Sequence, residues 1–410
     1  MTKRLRDLAE EKKSNITLLK KVIQEERRFM VRFKILFIFL IIFVGPVASS
    51  QVKIRLFANQ APESAVFSVT RGRYELNLFN GKILTIFKDE LVIFSRYKGK
   101  LAVKKRNTDS FVCDSLILSG KTGNDIFSVM LTGNSHTRQY YSGDLKCFPD
   151  METLVLINIS DIERYISGVV MAEGGPGKNL EYFKTQAIIA RTYMYKYFDK
   201  HLADRYNVCD NTHCQAFNGL SSDSLLNVAA LETKGLVILD KDSALIISAF
   251  HSNCGGETSS SEDVWLSGLP YLKSVVDPYC LAFRNATWQR SFSIIEWVKY
   301  IRKSGYNGKV DDPSVFNFIQ KSRLADYKTG TFTLPLTTMR SDLNLRSTFF
   351  SLNAKNDSIV LTGRGYGHGV GLCQEGAMMM ATKGFKYPEI IRFYYTGVII
   401  SDIKNAVALH

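Results

Sequence analysis

The amino-acid sequence predicts an α+β fold, in which strands and helices occupy mostly separate parts of the chain. From residue 51 to about residue 156, short runs rich in Val, Ile, Phe and Tyr alternate with turn signals such as Asn80-Gly81, a pattern typical of antiparallel strands. After Asp161, apolar residues recur at spacings of three and four, which indicates amphipathic helices. The β-rich stretch shows neither strand–helix–strand alternation nor a phosphate-binding loop, so a parallel nucleotide-binding sheet is not expected.

The helices and the later strands follow in a definite order. A short helix is predicted within 161–174 and a longer one within 180–200. The longer helix has one apolar stripe, formed by Leu180, Phe183, Ala187, Ala190, Met194 and Tyr197. The remaining predicted elements are strands at 236–240 and 244–250, a helix at 291–304, strands near 331–336 and 358–363, a helix from 374 to about 383, and a last helix that begins near Pro388.

The length and composition bound the class of protein. One domain per roughly 100–200 residues predicts two to four domains for a chain of 410 residues. Apolar residues make up 45% of the chain and aromatic residues 12%, which is enough for a large core and excludes intrinsic disorder. The mean hydropathy of −0.06 excludes a protein with many membrane spans.

The net charge of +14 is concentrated at one end of the chain. Residues 1–34 contribute +6 and residues 35–50 none, so the body carries +8. A basic surface suits polyanions in general. The sequence has no zinc-finger spacing, RNA-recognition motif or long Lys/Arg run, so nucleic acid is not expected as a partner, and a solvated basic surface is favoured.

An export signal is predicted near the N-terminus. The apolar run at 35–44 is shorter than the roughly 20 residues of a transmembrane helix and within the roughly 7–15 of a secretory signal. Arg32 and Lys34 precede it, and small residues allow cleavage after Ser50. Met30 is then the expected translation start. The alternative is a long cytoplasmic N-terminal region with the apolar run as a membrane anchor.

The segment GVVMAEGGPG at 168–177 places Glu173 between apolar residues and a Gly/Pro loop. Apolar surroundings disfavour the charged carboxylate and raise its pKa, which suits a general acid near neutral pH. The alternatives are a solvated loop glutamate and a residue that caps the following helix.

A second candidate site contains Cys209, His213 and Cys214, with His201 upstream. Two thiols and an imidazole are suitable ligands for tetrahedral Zn²⁺. A disulfide between Cys209 and Cys214 is an equal alternative from spacing alone, with unpaired thiols as a third. The chain has seven cysteines, an odd number that cannot all pair within it.

Two glycine-rich segments contain further candidates. His251 and Ser252 lie between a β-run and a glycine turn, either facing a cleft or forming an ordinary turn. In 363–377, glycines alternate with Arg364, Tyr366 and His368. An extended segment would present these three side chains on one face, while a sharp turn between strand and helix is the alternative.

The ordered motifs together resemble the SpoIID/LytB family, the group of stage II sporulation protein D and the amidase enhancers. The match runs from about residue 126 to the C-terminus and leaves 51–125 as a separate antiparallel β module. The motifs that carry it are RQYYSGDL (138–145), NISDIERYISGVVMAEG (158–174), TQAIIARTY (185–193), CDNTHCQAFNG (209–219), AFHSNCGGETSSSEDVW (249–265), PYLKSVVD (270–277), GRGYGHGVGLCQEGAMMMA (363–381) and FYYTGV (393–398).

The resemblance implies a mixed, β-rich SpoIID-type catalytic domain at 126–410, in an exported protein of the periplasm or cell envelope. It implies a lytic transglycosylase that cleaves denuded peptidoglycan glycan strands to 1,6-anhydro-MurNAc ends, with Glu173 as the acid/base. Met171-Ala172 and Gly174-Gly175 depart from the family's more usual proline-containing loop. The implied zinc ligands are Cys209 and Cys214 with either His201 or His213.

We expect the saccharide cleft to be lined by His251, Ser252, Arg364, Tyr366, His368 and Gln374, and expect no organic cofactor. The main alternative function is a non-catalytic wall-binding protein that enhances an N-acetylmuramoyl-L-alanine amidase. A purely structural envelope protein is a second alternative.

Overall fold

The computed structural model describes residues 50–79, 83–106, 108–133, 137–175, 179–265, 267–310 and 313–407. The predicted export signal lies outside the described residues, apart from Ser50. Within the described part, no helix is both long and apolar enough to cross a membrane.

The described residues form an α+β fold, as predicted. The helices are α1 Ile162–Glu173, α2 Leu180–Lys196, α3 Ser224–Glu232, α4 Ser261–Trp265, α5 Ile294–Lys303, α6 Leu336–Asp342, α7 Gln374–Thr382 and α8 Tyr387–Tyr394. The strands are β1 Gln51–Leu56, β2 Ser64–Arg71, β3 Tyr74–Asn77, β4 Ile83–Ile86, β5 Leu91–Tyr97, β6 Lys100–Lys105, β7 Phe111–Cys113, β8 Leu116–Gly120, β9 Ile126–Leu131, β10 Arg138–Ser142, β11 Asp144–Asp150, β12 Thr153–Asp161, β13 Val208–Cys209, β14 Leu236–Leu239, β15 Phe250–His251, β16 Thr287–Ser293, β17 Asn317–Phe318, β18 Asp326–Thr329, β19 Phe332–Pro335, β20 Phe350–Lys355, β21 Ser358–Arg364, β22 Leu372–Cys373 and β23 Ile399–Asp402.

Two large sheets form the N-terminal part of the described chain. One has the strand order β13-β1-β12-β11-β8-β3-β4 and the other β10-β9-β2-β5-β6-β7. Aromatic side chains join them: the ring of Tyr74 on β3 meets those of Phe67 on β2 and Phe127 on β9 edge-on, at 5.4 and 5.5 Å. Both sheets combine strands from either side of residue 125, and the domain boundary proposed there stays a prediction.

The helices that follow these sheets have clear sequence determinants. Helix α1 starts directly after β12, where the Asp161 side chain accepts hydrogen bonds from two backbone N–H groups of the first turn. Asn179 caps α2 in the same way. The predicted stripe of α2 packs inward: Phe183, Ala187 and Met194 are buried.

A second hydrophobic core lies within residues 287–364. It is built on the sheet β16-β21-β20-β17 together with α5 and α6, around the buried rings of Trp297 and Tyr327. The predicted helix at 291–304 begins later, because residues 291–293 belong to β16 and Ser293 caps α5 through a capping box with Glu296. The strand predicted at 244–250 was wrong for most of its length, since only Phe250 belongs to a strand there.

A buried ion pair and the further hydrogen bonds of its arginine join four of these elements. Arg191 of α2 is fully buried, and its Nε and Nη2 atoms both donate to the carboxylate of Glu163 on α1. The same guanidinium donates to the carbonyl oxygens of Leu236 and Ala230, each at 3.1 Å. All three nitrogen atoms of the Arg191 guanidinium thus donate hydrogen bonds, and these bonds hold α1, α2, α3 and β14 together.

Replacement of Arg191 by Met leaves the Glu163 charge buried without its partner. We expect a loss of about 3–5 kcal/mol in the free energy of unfolding, measured by urea denaturation. Lys100→Met is the control, because its ion pair with Asp114 is exposed and should contribute about 1 kcal/mol or less. The double variant Arg191→Met/Glu163→Leu should recover part of the loss. Equal losses in Arg191→Met and Lys100→Met would contradict a structural role for the buried pair.

Candidate active site and metal centre

Glu173 lies at the C-terminal end of α1, where three distant segments converge. The backbone N–H of Ala216 donates to its Oε1 atom. The Nε2 atom of Gln374, the first residue of α7, donates to the Glu173 backbone carbonyl at 2.7 Å. The Tyr182 hydroxyl on α2 donates to the carbonyl of Gly174. The carboxyl group is therefore held by a segment about 40 residues away, and the Glu173 backbone by a segment about 200 residues away.

The surroundings of Glu173 change its acidity. Burial raises the pKa of its carboxyl to about 7, and the hydrogen bond from Ala216 opposes this only in part. At neutral pH the group is present in both protonation states in similar amounts. It can therefore donate a proton in one step and accept one in another.

Close packing of backbone fixes the distance between α1 and the segment that carries Ala216. Gly168, one turn and a half before Glu173, lies against that segment. A Cβ atom at Gly168 would be 2.4 Å from the Gly219 carbonyl oxygen and 2.5 Å from the ring of Phe217. Only glycine allows this approach.

The four predicted metal ligands come together in the loop that follows α2. Donor atoms of His201, Cys209, His213 and Cys214 all lie within 4.8 Å of one another. Cys214 Sγ is 3.4 Å from His201 Nε2 and 3.9 Å from His213 Nδ1, and Cys209 Sγ is 3.6 Å from His213 Nδ1. Cys209 and Cys214 are free thiols in the structure.

These donors fit Zn²⁺. Tetrahedral zinc with ordinary Zn–S and Zn–N bonds separates its ligand atoms by about 3.3–3.8 Å, close to the distances observed. The outward ring nitrogen of His201 faces Asp204 Oδ2 at 3.4 Å, an arrangement that orients a metal-binding imidazole. Hydrogen bonding from Cys214 lowers the pKa of Cys209, which favours the thiolate. Both His201 and His213 are placed to act as zinc ligands, whereas the sequence left a choice between them.

Gln215 connects this cluster to Glu173 and was missed by sequence reasoning. It is buried between Cys214 and Ala216, and its Oε1 accepts a hydrogen bond from the Tyr165 hydroxyl at 3.3 Å. Its Nε2 is buried and has no hydrogen-bond partner among the described residues. A buried donor of this kind is available to a ligand oxygen. Its place in the motif CDNTHCQAFNG was the available signal.

His251 and His368 lie side by side, with ring centroids 5.6 Å apart. Nδ1 of His251 donates to the Val370 carbonyl at 3.1 Å, and its buried Nε2 has no partner within the described chain. Nδ1 of His368 accepts from the Val370 N–H at 3.0 Å. Burial lowers the pKa of His251 well below its usual range and that of His368 to about 4, so both rings are neutral.

The glycine loop differs from the extended segment predicted for it. The glycines at 365, 367, 369 and 371 have φ values of 79°, 118°, 85° and 71°, so alternate residues are left-handed. The side chains of Arg364, Tyr366 and His368 consequently do not share one face. Arg364 stacks on Phe349, with Cζ 3.6 Å from the ring centroid, while Tyr366 is exposed.

The structure brings some of the predicted cleft residues together and separates others. Gln374 contacts Glu173 directly, and Ser252 is close by, since its carbonyl accepts from the N–H of the next residue of α7 at 3.1 Å. The Ser252 hydroxyl also faces Asn285 Nδ2 at 3.4 Å. Arg364 instead donates to the carbonyls of 320 and 321, in the second core.

Together, the α+β fold and the buried carboxyl beside a Cys/His cluster define a protein with a site centred on a single acid. A family model described as "Stage II sporulation protein" (SpoIID) matches residues 150–239. A stage II sporulation protein D of Bacillus subtilis is 30% identical over 261 residues, which cover 59% of this chain and 74% of that protein. The chain belongs to the SpoIID/LytB family, as its motifs predicted.

Two further relatives extend this comparison. An uncharacterized protein of Brachyspira hyodysenteriae is 32% identical over 280 residues, covering 65% of this chain and 73% of the relative. The amidase enhancer of Bacillus subtilis is 27% identical over 290 residues, which cover 58% of this chain and 40% of the relative.

A zinc ion bound to this Cys/His cluster can be detected directly. Cys214→Ser should lower the zinc content of the purified full chain by one atom per chain, because a tetrahedral site loses one of its two thiolates. Cys113→Ser, a change to a cysteine in β7 that lies outside the cluster, should leave the zinc content unchanged. Elemental analysis by mass spectrometry provides the measurement. Recovery of a peptide with Cys209 and Cys214 joined by a disulfide, in metal-free protein, would rule the site out.

Proposed function

We propose that the protein acts at the cell wall as a lytic transglycosylase, cleaving peptidoglycan glycan strands with Glu173 as its single acid/base. The observation that carries this proposal is the buried carboxyl whose pKa is about 7. Family membership supports a role at the cell wall. The segment GVVMAEG resembles the family motif whose acidic residue corresponds to Glu173. The predicted export of the chain agrees with this substrate.

One carboxyl group suffices for the reaction. Protonated Glu173 donates its proton to the glycosidic oxygen between MurNAc and GlcNAc, and the bond from that oxygen to the MurNAc anomeric carbon breaks. The resulting carboxylate removes the proton of the MurNAc 6-hydroxyl, whose oxygen bonds to the anomeric carbon. The products are a 1,6-anhydro end and a free GlcNAc 4-hydroxyl, and Glu173 is protonated again. Because the acceptor belongs to the same sugar, its effective concentration is high.

The Cys/His cluster serves this chemistry by positioning. Zinc bound to His201, Cys209, His213 and Cys214 would supply a fixed tetrahedral joint in the loop after α2. Ala216 follows two residues after Cys214, and its N–H is the group that holds the Glu173 carboxyl. The loop therefore sets the position of one carboxyl oxygen and leaves the other for the sugar.

Polar groups next to Glu173 are suited to bind saccharide. Gln374 donates to the Glu173 backbone carbonyl, and Gln215 directly precedes Ala216, the residue that holds the carboxyl. The neutral rings of His251 and His368 lie near the start of α7 and can exchange hydrogen bonds with sugar hydroxyl or acetamido groups. Tyr366 is exposed and available for stacking on a sugar face.

An amidase-enhancing role without catalysis is the second candidate. The relative that bears the name amidase enhancer favours it, together with the loop Met171-Ala172 before and Gly174-Gly175 after the acid, which differs from the family's more usual form. In that case the same cleft would bind glycan strands and present them to an amidase. The two candidates differ in one product, the 1,6-anhydro end.

Substitution Glu173→Gln tests the catalytic proposal. The amide keeps the size of the side chain and the hydrogen bond from Ala216 but has no proton to donate, so turnover of denuded glycan should fall by at least about 100-fold. The readout is the 1,6-anhydro product, measured by mass spectrometry. Glu232→Gln, on the exposed side of α3, is the control and should retain full activity. Equal amounts of 1,6-anhydro product from wild type and Glu173→Gln would contradict Glu173 as the acid, whereas absence of this product from the wild type would favour the amidase-enhancing role.

The pH profile of the wild-type protein gives a second test. The reaction starts from the protonated acid, so kcat/KM should be constant below pH 7 and fall as the pH rises through about 7, by tenfold per unit above it. Stability should follow the same sign: the folded-state pKa lies above the unfolded value, so folding is favoured at low pH and weakens as the pH rises from about 4.5 through 7. Glu173→Gln should remove that part of the stability change. A kcat/KM that rises across this range would contradict the assignment.

A further inference from the structure

Three thiols and a carboxyl group meet in the core beneath the glycine loop, apart from the Cys/His cluster. They belong to Cys254, Asp277, Cys280 and Cys373, and all four residues are fully buried. Their donor atoms lie within 4.8 Å of one another. Cys254 Sγ is 3.3 Å from Cys280 Sγ and 3.2 Å from Asp277 Oδ2.

The fold brings these residues together from three segments. Strands β15 and β22 pair in parallel, with His251 opposite Cys373, and Cys254 follows β15 by three residues. Asp277 and Cys280 come from the loop after α4, tied to the first segment by a hydrogen bond from the Asp277 N–H to the Gly256 carbonyl at 2.9 Å. The cysteines are 26 and 93 residues apart in the sequence, so no short motif of closely spaced cysteines could have predicted this cluster.

Surrounding groups orient two of the four donors, Asp277 and Cys373, as ligands. Asp277 Oδ1 accepts from the Tyr279 N–H at 2.8 Å, and Oδ2 accepts from the Tyr394 hydroxyl at 2.9 Å. Cys373 Sγ accepts N–H bonds from Cys254 at 3.2 Å and Gly376 at 3.4 Å. Hydrogen bonds of this kind to metal-binding carboxylates and sulfurs hold them in place for the ion.

Space and charge are also arranged around the cluster. A Cβ atom at position 376 would be 2.3 Å from Asp277 Oδ2, so only glycine leaves room for that oxygen. The buried guanidinium of Arg323 donates to the Cys254 carbonyl at 2.7 Å. A cation with three thiolates and one carboxylate would carry excess negative charge, and Arg323 offsets part of it.

We propose that Cys254, Asp277, Cys280 and Cys373 bind a second zinc ion, as a closed structural site. Three sulfurs and one oxygen at these separations match tetrahedral Zn²⁺, which takes both kinds of ligand. A Cys254–Cys280 disulfide is the competing arrangement. It would bring two sulfurs to about 2.05 Å and leave Cys373 and Asp277 without a common partner in the core.

The site fastens the floor of the proposed cleft. Its ligands belong to the segments that also carry His251 and Gln374, so the ion would clamp β15, β22 and the start of α7 together. This role is independent of whether Glu173 is catalytic, and it is tested by metal content and stability without any activity measurement.

The deciding protein is the full chain with Cys209→Ser and Cys214→Ser, which removes the first cluster. It should retain one zinc per chain, against two in the wild type, and lose it when Cys280→Ser or Asp277→Asn is added. Cys113→Ser should have no effect. Chelation should lower the melting temperature of the Cys209→Ser/Cys214→Ser protein and added zinc should restore it.

Absence of zinc from the Cys209→Ser/Cys214→Ser protein would overturn the proposal. If those changes prevent folding, wild-type stoichiometry decides, with two zinc ions per chain supporting the proposal and one ion opposing it. A Cys254–Cys280 disulfide in a non-reducing peptide map of the wild type would also overturn it. Asp277→Asn preserves the size of the side chain. A folded Asp277→Asn variant with undiminished zinc would therefore show that Asp277 is not a ligand, contrary to the proposal.

Discussion

The buried ion pair between Arg191 and Glu163 is the constraint on which the site depends. Helix α1 begins directly after β12, an inner strand of a large sheet, and ends at Glu173, so its orientation determines where the acid lies. Arg191 fixes that orientation from inside the core, and it does so through charge-assisted bonds that tolerate little displacement. The same residue belongs to α2, which leads to the Cys/His cluster. One side chain thus sets the relative positions of Glu173 and the Cys/His cluster.

The site itself is assembled at element ends. Glu173 ends α1, Gln374 begins α7, and Ala216 lies in the loop after α2. Helices and sheets provide rigid support, and short loops provide the groups that contact the carboxyl. Two separate clusters of donors belong to the same segments. One lies in the loop that carries Ala216, and the other includes residues next to Gln374 and His251 in the chain.

Local pattern was enough to predict much of the fold. Strands with Val, Ile and Phe runs, and helices with a stripe such as Phe183, Ala187 and Met194, were found because their periodicity reflects burial on one face. Arg191 could not be predicted as buried, because its partner is 28 residues away and a polar residue at that position suggests solvent. The strand expected at 244–250 failed because apolar composition does not provide a pairing partner.

The candidate site was predictable to the extent that its residues lie in motifs. Glu173 and the Cys/His group came from short segments, and the raised pKa of Glu173 follows from burial that the neighbouring valines indicated. The glycine loop was misjudged, since alternation of glycine with larger residues does not distinguish a strand from a chain with alternate left-handed residues. The cluster around Cys280 needs three segments to meet, and that information is in the topology.

The contact at Gly168 has a consequence for how this site can change over time. Glu173 and the Ala216 amide that holds it lie on different segments. The two segments can approach this closely because Gly168 has no side chain. The distance between these two segments cannot be changed in small steps by substitution at position 168, because even the methyl group of alanine would force the two backbones apart. The contact at Gly168 thus limits the changes that this part of α1 can accept, whereas the residues on both sides of the acid, Met171-Ala172 and Gly174-Gly175, differ from the pattern that the family motif predicts.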